Sequence, residues 1–133
     1  MSEARRTSAR FGWSALFVAA LSGLALEAAH GFKLAPYLDD ALTRLLLTLA
    51  HAHLAGLALA VLAHGAFASL DPGAGPWLRV AAVLMPAGFA LGAIAHPEGD
   101  PSWPIVLVPL GALALLVGLG RMARAAWRSG PTD

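Results

Sequence analysis

Long runs of apolar residues without formal charge divide the chain into four segments. The runs cover residues 11–26, 45–70, 80–97 and 101–120, and short connections separate them. About 20 apolar residues in a helix cross a hydrocarbon core of about 30 Å. Because backbone groups find no water in that core, each spanning segment is predicted to be helical. The pattern therefore predicts an all-α, polytopic membrane protein.

The four predicted spans make one transmembrane domain that covers residues 1–133. We predict helices over about 11–32, 41–67, 78–97 and 103–126. The first helix reaches spanning length only if Glu27 and His30 lie within its outer part. Glycine and proline in the three connections end the helices. Because the connections are short, neighbouring helices should run antiparallel in an up-down bundle.

Composition supports this class and argues against others. Hydrophobic residues make up 58% of the chain and charged residues 13%, about half the charged share of a soluble domain. The net charge of +1 gives no positive field for nucleic acid, so we expect no nucleic-acid partner. The chain has no cysteine, which excludes disulfides and thiolate metal sites. Phosphate-loop, hydrolase and zinc-protease motifs are absent from the sequence, which favours a non-enzymatic protein.

The positive charges predict the orientation of the domain. Seven of the nine lysine and arginine residues fall on one side if the four helices alternate: Arg5, Arg6, Arg10, Arg79, Arg121, Arg124 and Arg128. The positive-inside rule places that side, with both termini, in the cytoplasm. Interfacial aromatic residues agree with the helix ends: Trp13, Trp77 and Trp127 inside, Trp103 and Tyr37 outside. We therefore expect a multi-pass protein in the lipid bilayer of a bacterial inner membrane.

Glu27 and Arg44 are charged residues inside the predicted spans. A charged side chain at the bilayer centre costs about 2.5–3.5 kcal/mol on insertion scales. Both residues should lie about one turn below the outer ends of adjacent antiparallel helices. The face of Glu27 also carries Ala20 and Gly23, small residues that favour close helix packing. The simplest interpretation is a structural ion pair; the alternative makes Glu27 a proton or metal site whose charge Arg44 holds.

Glu27 and His30 have the Glu-x-x-His spacing found in di-iron helical bundles. A di-iron centre needs a second such motif and further carboxylates, and the predicted spans contain neither. A mononuclear metal site of Glu27, His30 and His96 remains a candidate, because all three are predicted near the outer face. The alternative is that His30 and His96 are ordinary interfacial residues.

Two histidines near the middle of the second span define opposite helical faces. His51 and His53 are about 200° apart, so they are not expected to ligate one metal ion together. The face of His51 carries Thr48 and should point toward the first span, with Glu27 one to two turns above. His53 shares its face with His64, which should meet a neighbouring helix, a cofactor or a second copy. Histidine at this depth suits haem ligation, metal binding or a proton relay; the alternative is a neutral, hydrogen-bonded imidazole.

The third and fourth spans carry packing signals. Gly88 and Gly92 form a GxxxG spacing, which favours close helix packing and is weak evidence for a dimer. Ser102 is placed to cap the fourth helix. No ionisable residue precedes Arg121 in that helix, so we interpret it as scaffold.

Two resemblances follow from these residues. The segments Leu26-Glu-Ala-Ala-His-Gly-Phe-Lys33, Tyr37-Leu-Asp39 and Ala50-His-Ala-His53, with Arg44, resemble a group of uncharacterised bacterial four-helix integral membrane proteins. That resemblance covers the first two spans, about a third of the chain, and implies no particular activity. Residues 50–54 also resemble the second helix of haem–copper oxidase subunit I, in which a histidine ligates a low-spin haem. The partner histidine and the copper ligands are missing, so this resemblance implies a haem or metal site shared between subunits and no oxidase.

Three functions are expected on these grounds. The first is a small subunit or accessory protein of a membrane assembly, in which His51 and His53 hold haem or a divalent metal. The second is an oligomeric transporter or proton-conducting protein that uses Glu27 and the histidines; four spans are few for a transporter, so it would need oligomerisation. The third is a membrane enzyme with a histidine-ligated metal. All three are compatible with a homo-oligomer or a larger complex.

Overall fold

A computed structural model describes residues 2–129 of the chain. Within this range the helices are α1 (Glu3–Gly31), α2 (Ala35–Leu38), α3 (Ala41–Ala66), α4 (Gly75–Gly92) and α5 (Leu107–Arg128). Single 3₁₀ turns, Pro72–Ala74 and Trp103–Val106, lead into α4 and α5. Four helical segments are long and apolar enough to span a membrane, and residues 2–129 contain no strand. The predicted all-α fold, with four helices long and apolar enough to span a membrane, is confirmed.

The first span is longer than predicted at its N-terminal end. Helix α1 begins at Glu3 rather than at residue 11, because the Ser2 hydroxyl accepts a hydrogen bond from the backbone N–H of Arg5 at 3.3 Å. The arginines of this segment therefore lie on a helix whose first turns extend beyond the apolar run. Long basic side chains at such a helix end reach toward the membrane surface.

The third span ends earlier than predicted, at Gly92 instead of residue 97. Ala95 has a φ of 49°, a left-handed conformation that a helix does not continue through. Ser102 also acts differently from the prediction. Its hydroxyl donates to the carbonyl oxygens of Leu91 at 2.9 Å and Gly92 at 3.3 Å, so it closes the C-terminal end of α4 instead of capping α5.

The four long helices form an open row. Helix α1 packs on α3, α3 on α4, and α4 on α5. Within the described chain no comparable interface joins α1 to α5, so the helices alternate in direction but do not close into a four-cornered bundle. Helices α3 and α4 are the central pair and supply the buried core: Leu57, Val61, Leu78, Ala82 and Met85.

The outer faces of α1 and α5 carry large exposed apolar side chains. Examples are Phe17, Leu21 and Leu24 on α1, and Leu110, Leu113 and Leu116 on α5. These faces suit contact with lipid chains, which are as apolar as the side chains themselves. Both described chain ends lie on the same side of the helical domain, at one end of the helix axes. We call this side the terminal face, and the opposite side, where α1 ends and α3 begins, the far face.

Glycines hold α4 and α5 close together. A Cβ atom added to Gly88 would lie 2.9 Å from the backbone nitrogen of Val108, and one added to Gly111 would lie 2.9 Å from that of Met85. Gly92 faces Ile105 in the same interface. The GxxxG spacing therefore serves packing within the chain, because it lets two backbones approach.

Candidate functional site

A polar groove between α1 and α3 brings together several residues that the sequence singled out. The groove has a volume of about 700 Å³. Its polar lining consists of Glu27, His30, Tyr37, Thr48 and His51. His30 lies at the far-face end of α1, and His51 lies about 15 Å along α3 from Ala41. This α1–α3 groove therefore extends from the far face to the middle of the span.

His51 is held at the inner end of the groove by two groups of α1. Its Nδ1 lies 3.1 Å from the carbonyl oxygen of Ala19 and 3.1 Å from the hydroxyl of Ser22. The Ser22 hydroxyl itself donates to the Ala19 carbonyl at 2.8 Å. A carbonyl oxygen can only accept, so Nδ1 of His51 is the protonated nitrogen and donates.

This arrangement leaves the other ring nitrogen of His51 accessible. Within residues 2–129, Nε2 makes no hydrogen bond and is not enclosed by protein. In the neutral imidazole Nε2 carries the lone pair, because Nδ1 carries the proton. His51 therefore presents a basic nitrogen near the middle of the span, in a fixed tautomer and a fixed ring orientation.

Gly23 makes room for this ring. A Cβ atom at position 23 would lie 2.8 Å from Cε1 of His51, closer than side chains pack. Gly23 is four residues before Glu27, so both lie on the same face of α1. The predicted placement of His51 against the first span, on the side of Glu27 and Thr48, is confirmed.

His53 lies on the opposite side of α3. Its Nδ1 donates to the carbonyl oxygen of Leu49, one turn earlier in the same helix, at 2.8 Å. Its ring lies 4.8 Å from the ring of Phe89 on α4, measured between centroids. The prediction of two opposed histidine faces is confirmed, and α3 accommodates both because it lies between α1 and α4. The structure does not bring His51 and His53 to one site.

His64, like His53, meets a neighbouring helix, as their shared face predicts: a Cβ atom added to Gly75 at the start of α4 would lie 2.7 Å from Cε1 of His64. It is 2% exposed, and its Nδ1 lies 2.9 Å from the Ser8 hydroxyl. Its Nε2 donates to the carbonyl oxygen of Asp71 at 3.2 Å, so the Ser8 hydroxyl donates to Nδ1 in the neutral ring. Both nitrogens are satisfied by the first turns of α1 and by the α3–α4 connection. His64 is a structural residue near the terminal face.

The expected ion pair between Glu27 and Arg44 is not formed in the structure. Among residues 2–129 the ion pairs are His96–Asp40 and Arg121–Asp71. The Arg44 guanidinium donates instead to the carbonyl oxygen of Leu38, at the end of α2. This carbonyl is one of the backbone groups that a helix end leaves without an intrahelical partner. Glu27 is exposed and lines the groove.

The proposed metal ligands Glu27, His30 and His96 are not brought together. His96 follows α4, and α3 separates α4 from α1, so His96 contacts the start of α3 instead. Its Nε2 lies 2.8 Å from a carboxylate oxygen of Asp40, and its Nδ1 lies 2.9 Å from the carbonyl oxygen of Pro97. Within the described range, no three histidine, aspartate or glutamate side chains are placed to hold one metal ion.

Asp40, which caps α3 and contacts His96, was not predicted as an important residue from the sequence. Its carboxylate caps α3 by accepting hydrogen bonds from the backbone N–H groups of Thr43 at 3.1 Å and Leu42 at 2.9 Å. The Thr43 N–H is the largest cause that holds the pKa of Asp40 below its ordinary value; nearby His96 lowers it further. The signal was available in the sequence, since an aspartate just before an apolar helix is a common N-cap.

No protein-family model, curated protein or solved structure matches the chain.

Proposed function

We propose that the protein is a small non-enzymatic subunit or accessory protein of a membrane assembly, in which His51 binds haem or a divalent metal ion. The observation that supports this proposal is the His51 imidazole near mid-span, whose Nδ1 donates to Ala19 while Nε2 faces no protein partner in the described range. Metal-ligating histidines generally donate their second N–H to a carbonyl or carboxylate, which fixes the tautomer and the ring.

The need for an assembly follows from the open side of the groove. Glu27 and Thr48 are exposed at depths where lipid would surround them in a monomer. An uncompensated carboxylate in that position is costly. A second copy or another subunit that covers the groove reduces this cost, and the open row of helices leaves the groove accessible to such a partner.

The chain supplies part of the ligand set for either group. For haem, His51 offers one axial nitrogen, and a second axial ligand would come from a partner, in keeping with a site shared between subunits. For a divalent metal, Glu27 and His30 line the same groove but do not join His51 as a three-ligand cluster. Both cases call for an additional ligand from outside this groove.

An oligomeric proton-conducting protein or transporter is the second candidate. Glu27, Thr48 and His51 form a series of polar groups from the far face to mid-span, which is the order a proton path would need. Between His51 and His64 at the terminal face, α3 carries only His53, which faces α4. One described chain thus supplies half of a path, and a partner would supply the rest. A membrane enzyme with a histidine-ligated metal has less support, since it would need a larger ligand cluster.

We also propose that the terminal face is cytoplasmic in a bacterial inner membrane. The seven arginines near this face support it through the positive-inside rule. Reporter fusions at each terminus should report the cytoplasm, and a fusion after Asp40 should report the outside. An outside signal at either terminus would overturn the orientation.

The ligand proposal is tested by the absorption spectrum and metal content of purified protein, before and after addition of hemin or of zinc. We expect a Soret band or a bound metal in the wild-type protein. We expect its loss in His51→Ala and its retention in the matched variant His53→Ala, whose ring lies at similar depth on the other face. Equal retention in both variants would refute a role for His51.

A glycine pair gives a second, independent control. Gly23→Ala places a methyl group against the His51 ring and should weaken ligand binding, whereas Gly31→Ala meets open space and should not. If wild-type protein takes up neither haem nor metal, the ligand proposal fails. Acidification of liposomes containing the protein, followed with a pH-sensitive dye, then decides whether the proton path replaces it.

A further inference from the structure

A second concave site lies at the terminal face, away from the α1–α3 groove. The last turns of α5 and the α3–α4 connection enclose a pocket of about 390 Å³. Leu70, Asp71, Arg121, Arg124 and Arg128 line it, and we call it the arginine pocket. None of the proposed functions of the groove uses these residues.

The three arginines come from one face of α5. Their positions are three and four residues apart, the spacing that places side chains one above another on a helix. Arg121 is fixed by Asp71, whose Oδ1 accepts from its Nη2 at 2.9 Å and from the backbone N–H of Gly73 at 2.9 Å. The α3–α4 connection is thereby joined to α5, and the pocket forms between them.

The charge of the pocket is not balanced by its own lining. Three guanidinium groups face a single carboxylate, and Asp71 is already engaged with Arg121. Arg124 and Arg128 are exposed and form no ion pair with residues 2–129. Guanidinium groups form bidentate hydrogen bonds with phosphate oxygens, so Arg124 and Arg128 are suited to bind a phosphate ester.

The pocket lies at the level of the membrane interface. Trp127, next to Arg128, is 89% exposed, and Phe67, three residues before Leu70, is 59% exposed. Exposed tryptophan side chains at helix ends are enriched at the level of the lipid headgroups, and an exposed phenylalanine beside them adds apolar surface. Below the pocket, the same side of α5 exposes Leu110, Leu113 and Val117, an apolar surface along which acyl chains can lie. Basic cations near a helix C-terminus also complement the helix dipole, but that effect requires no concave site.

We propose that the arginine pocket binds the phosphodiester headgroup of an anionic phospholipid. Arg124 and Arg128 contact the phosphate oxygens, Arg121 closes the pocket through Asp71, and the acyl chains follow the exposed face of α5. The partner is a lipid because the phosphate site and the apolar face are contiguous at the interface. Without that apolar surface, the same arginines would be equally suited to free phosphate.

The experiment is native mass spectrometry of the protein released from nanodiscs that contain phosphatidylglycerol and phosphatidylcholine. We expect wild-type protein to retain phosphatidylglycerol selectively. The double variant Arg124→Gln, Arg128→Gln should bind it roughly 25-fold more weakly, because each interfacial arginine contributes about a fivefold step and the two steps multiply. The matched control is Arg6→Gln, Arg10→Gln, which removes the same charge at the same face outside the pocket.

Three results would overturn the proposal. Equal loss in the control variant would show a general attraction to the basic face instead of a site. Equal retention of phosphatidylcholine would remove the selectivity for an anionic headgroup. Displacement of the lipid by millimolar inorganic phosphate as readily as by added phosphatidylglycerol would make it a free-phosphate site. Thermal melting of the variants checks their folding, and failure of ligand uptake at His51 leaves this test unaffected.

Discussion

The interface between α4 and α5 differs in kind from the interface between α1 and α3. Helices α4 and α5 approach through glycines, and added Cβ atoms would collide with the opposing backbone at Gly88 and Gly111. Helices α1 and α3 instead leave the polar groove, with Glu27 exposed and His51 only half-buried. The α4–α5 interface is close and apolar. The α1–α3 interface is also close at Gly12 and Gly65, but it opens into the polar groove toward the far face.

The comparison indicates that close packing dominates the α4–α5 interface, whereas the α1–α3 interface leaves room for polar groups at its far-face end. In a bilayer, helices associate mainly through van der Waals packing, because lipid is as apolar as the side chains. The glycine-lined interface maximises such packing. A polar groove has the opposite effect, because its groups lose hydration inside the membrane unless a ligand or partner compensates.

The largest expected effect comes from breaking the α4–α5 interface. Gly111→Leu forces a side chain against the side chain and backbone nitrogen of Met85 and should lower the free energy of unfolding by about 3 kcal/mol or more, the upper end of the range for overpacking. The same substitution at Gly120, which meets open space, should leave stability unchanged or slightly raised. Thermal melts in detergent measure both. Similar melting temperatures for the two variants would contradict the importance of this interface.

A smaller effect should distinguish the two histidines that contact α1. His64→Ala leaves the buried Ser8 hydroxyl without its side-chain partner and removes one of the two hydrogen bonds to the Asp71 carbonyl oxygen, which should cost about 1–2 kcal/mol. His51→Ala should cost less, because the ring borders an open groove and the Ser22 hydroxyl still donates to the Ala19 carbonyl oxygen. Melting curves of the two variants test this order. A larger loss for His51→Ala would mean that the α1–α3 interface depends on the groove for stability.

The smallest expected effect is the dependence of thermal stability on acidic pH, through one aspartate at each face of the domain. Hydrogen bonding to Arg121 is the main cause that holds the pKa of Asp71 below its ordinary value, and the Thr43 N–H does the same for Asp40. Each carboxylate therefore stabilises the fold above the ordinary aspartate pKa of about 3.9, and this contribution falls as the pH drops through the lower folded-state pKa. We therefore expect the melting temperature of the wild-type protein to fall modestly between pH 5 and pH 3, because exposed charged pairs contribute little to stability.

Asp71→Asn and Asp40→Asn sharpen this last comparison. Each variant should melt slightly lower than the wild type at neutral pH and should show a shallower decline in acid, because one titrating group has been removed. Melting curves over the same pH range provide the measurement. An unchanged acid dependence in both variants would assign the decline to other carboxylates.

The helical faces of the site residues were predictable from the sequence, but their hydrogen-bond partners were not. The spacing of Gly23, Glu27 and the histidines placed His51 on the correct face, because helical periodicity depends on the chain alone. The sequence did not reveal that Ala19 and Ser22 hold His51, since a backbone carbonyl has no sequence signature. It also did not reveal that Arg44 turns to Leu38 instead of Glu27. Equal depth brings two side chains to one level, but their rotation about the helix axes decides whether they meet.

Four helices long enough to span a membrane were predictable from the chain alone, because the hydropathy of each segment and the internal hydrogen bonds of a helix require no neighbour. How these helices pack was set by the tertiary structure. It placed Gly88 against α5 within the same chain, separated His96 from Glu27 by the width of α3, and enclosed His64 between α1 and the α3–α4 connection. These outcomes depend on helix order in space and on close packing between residues far apart in sequence, which no local pattern encodes.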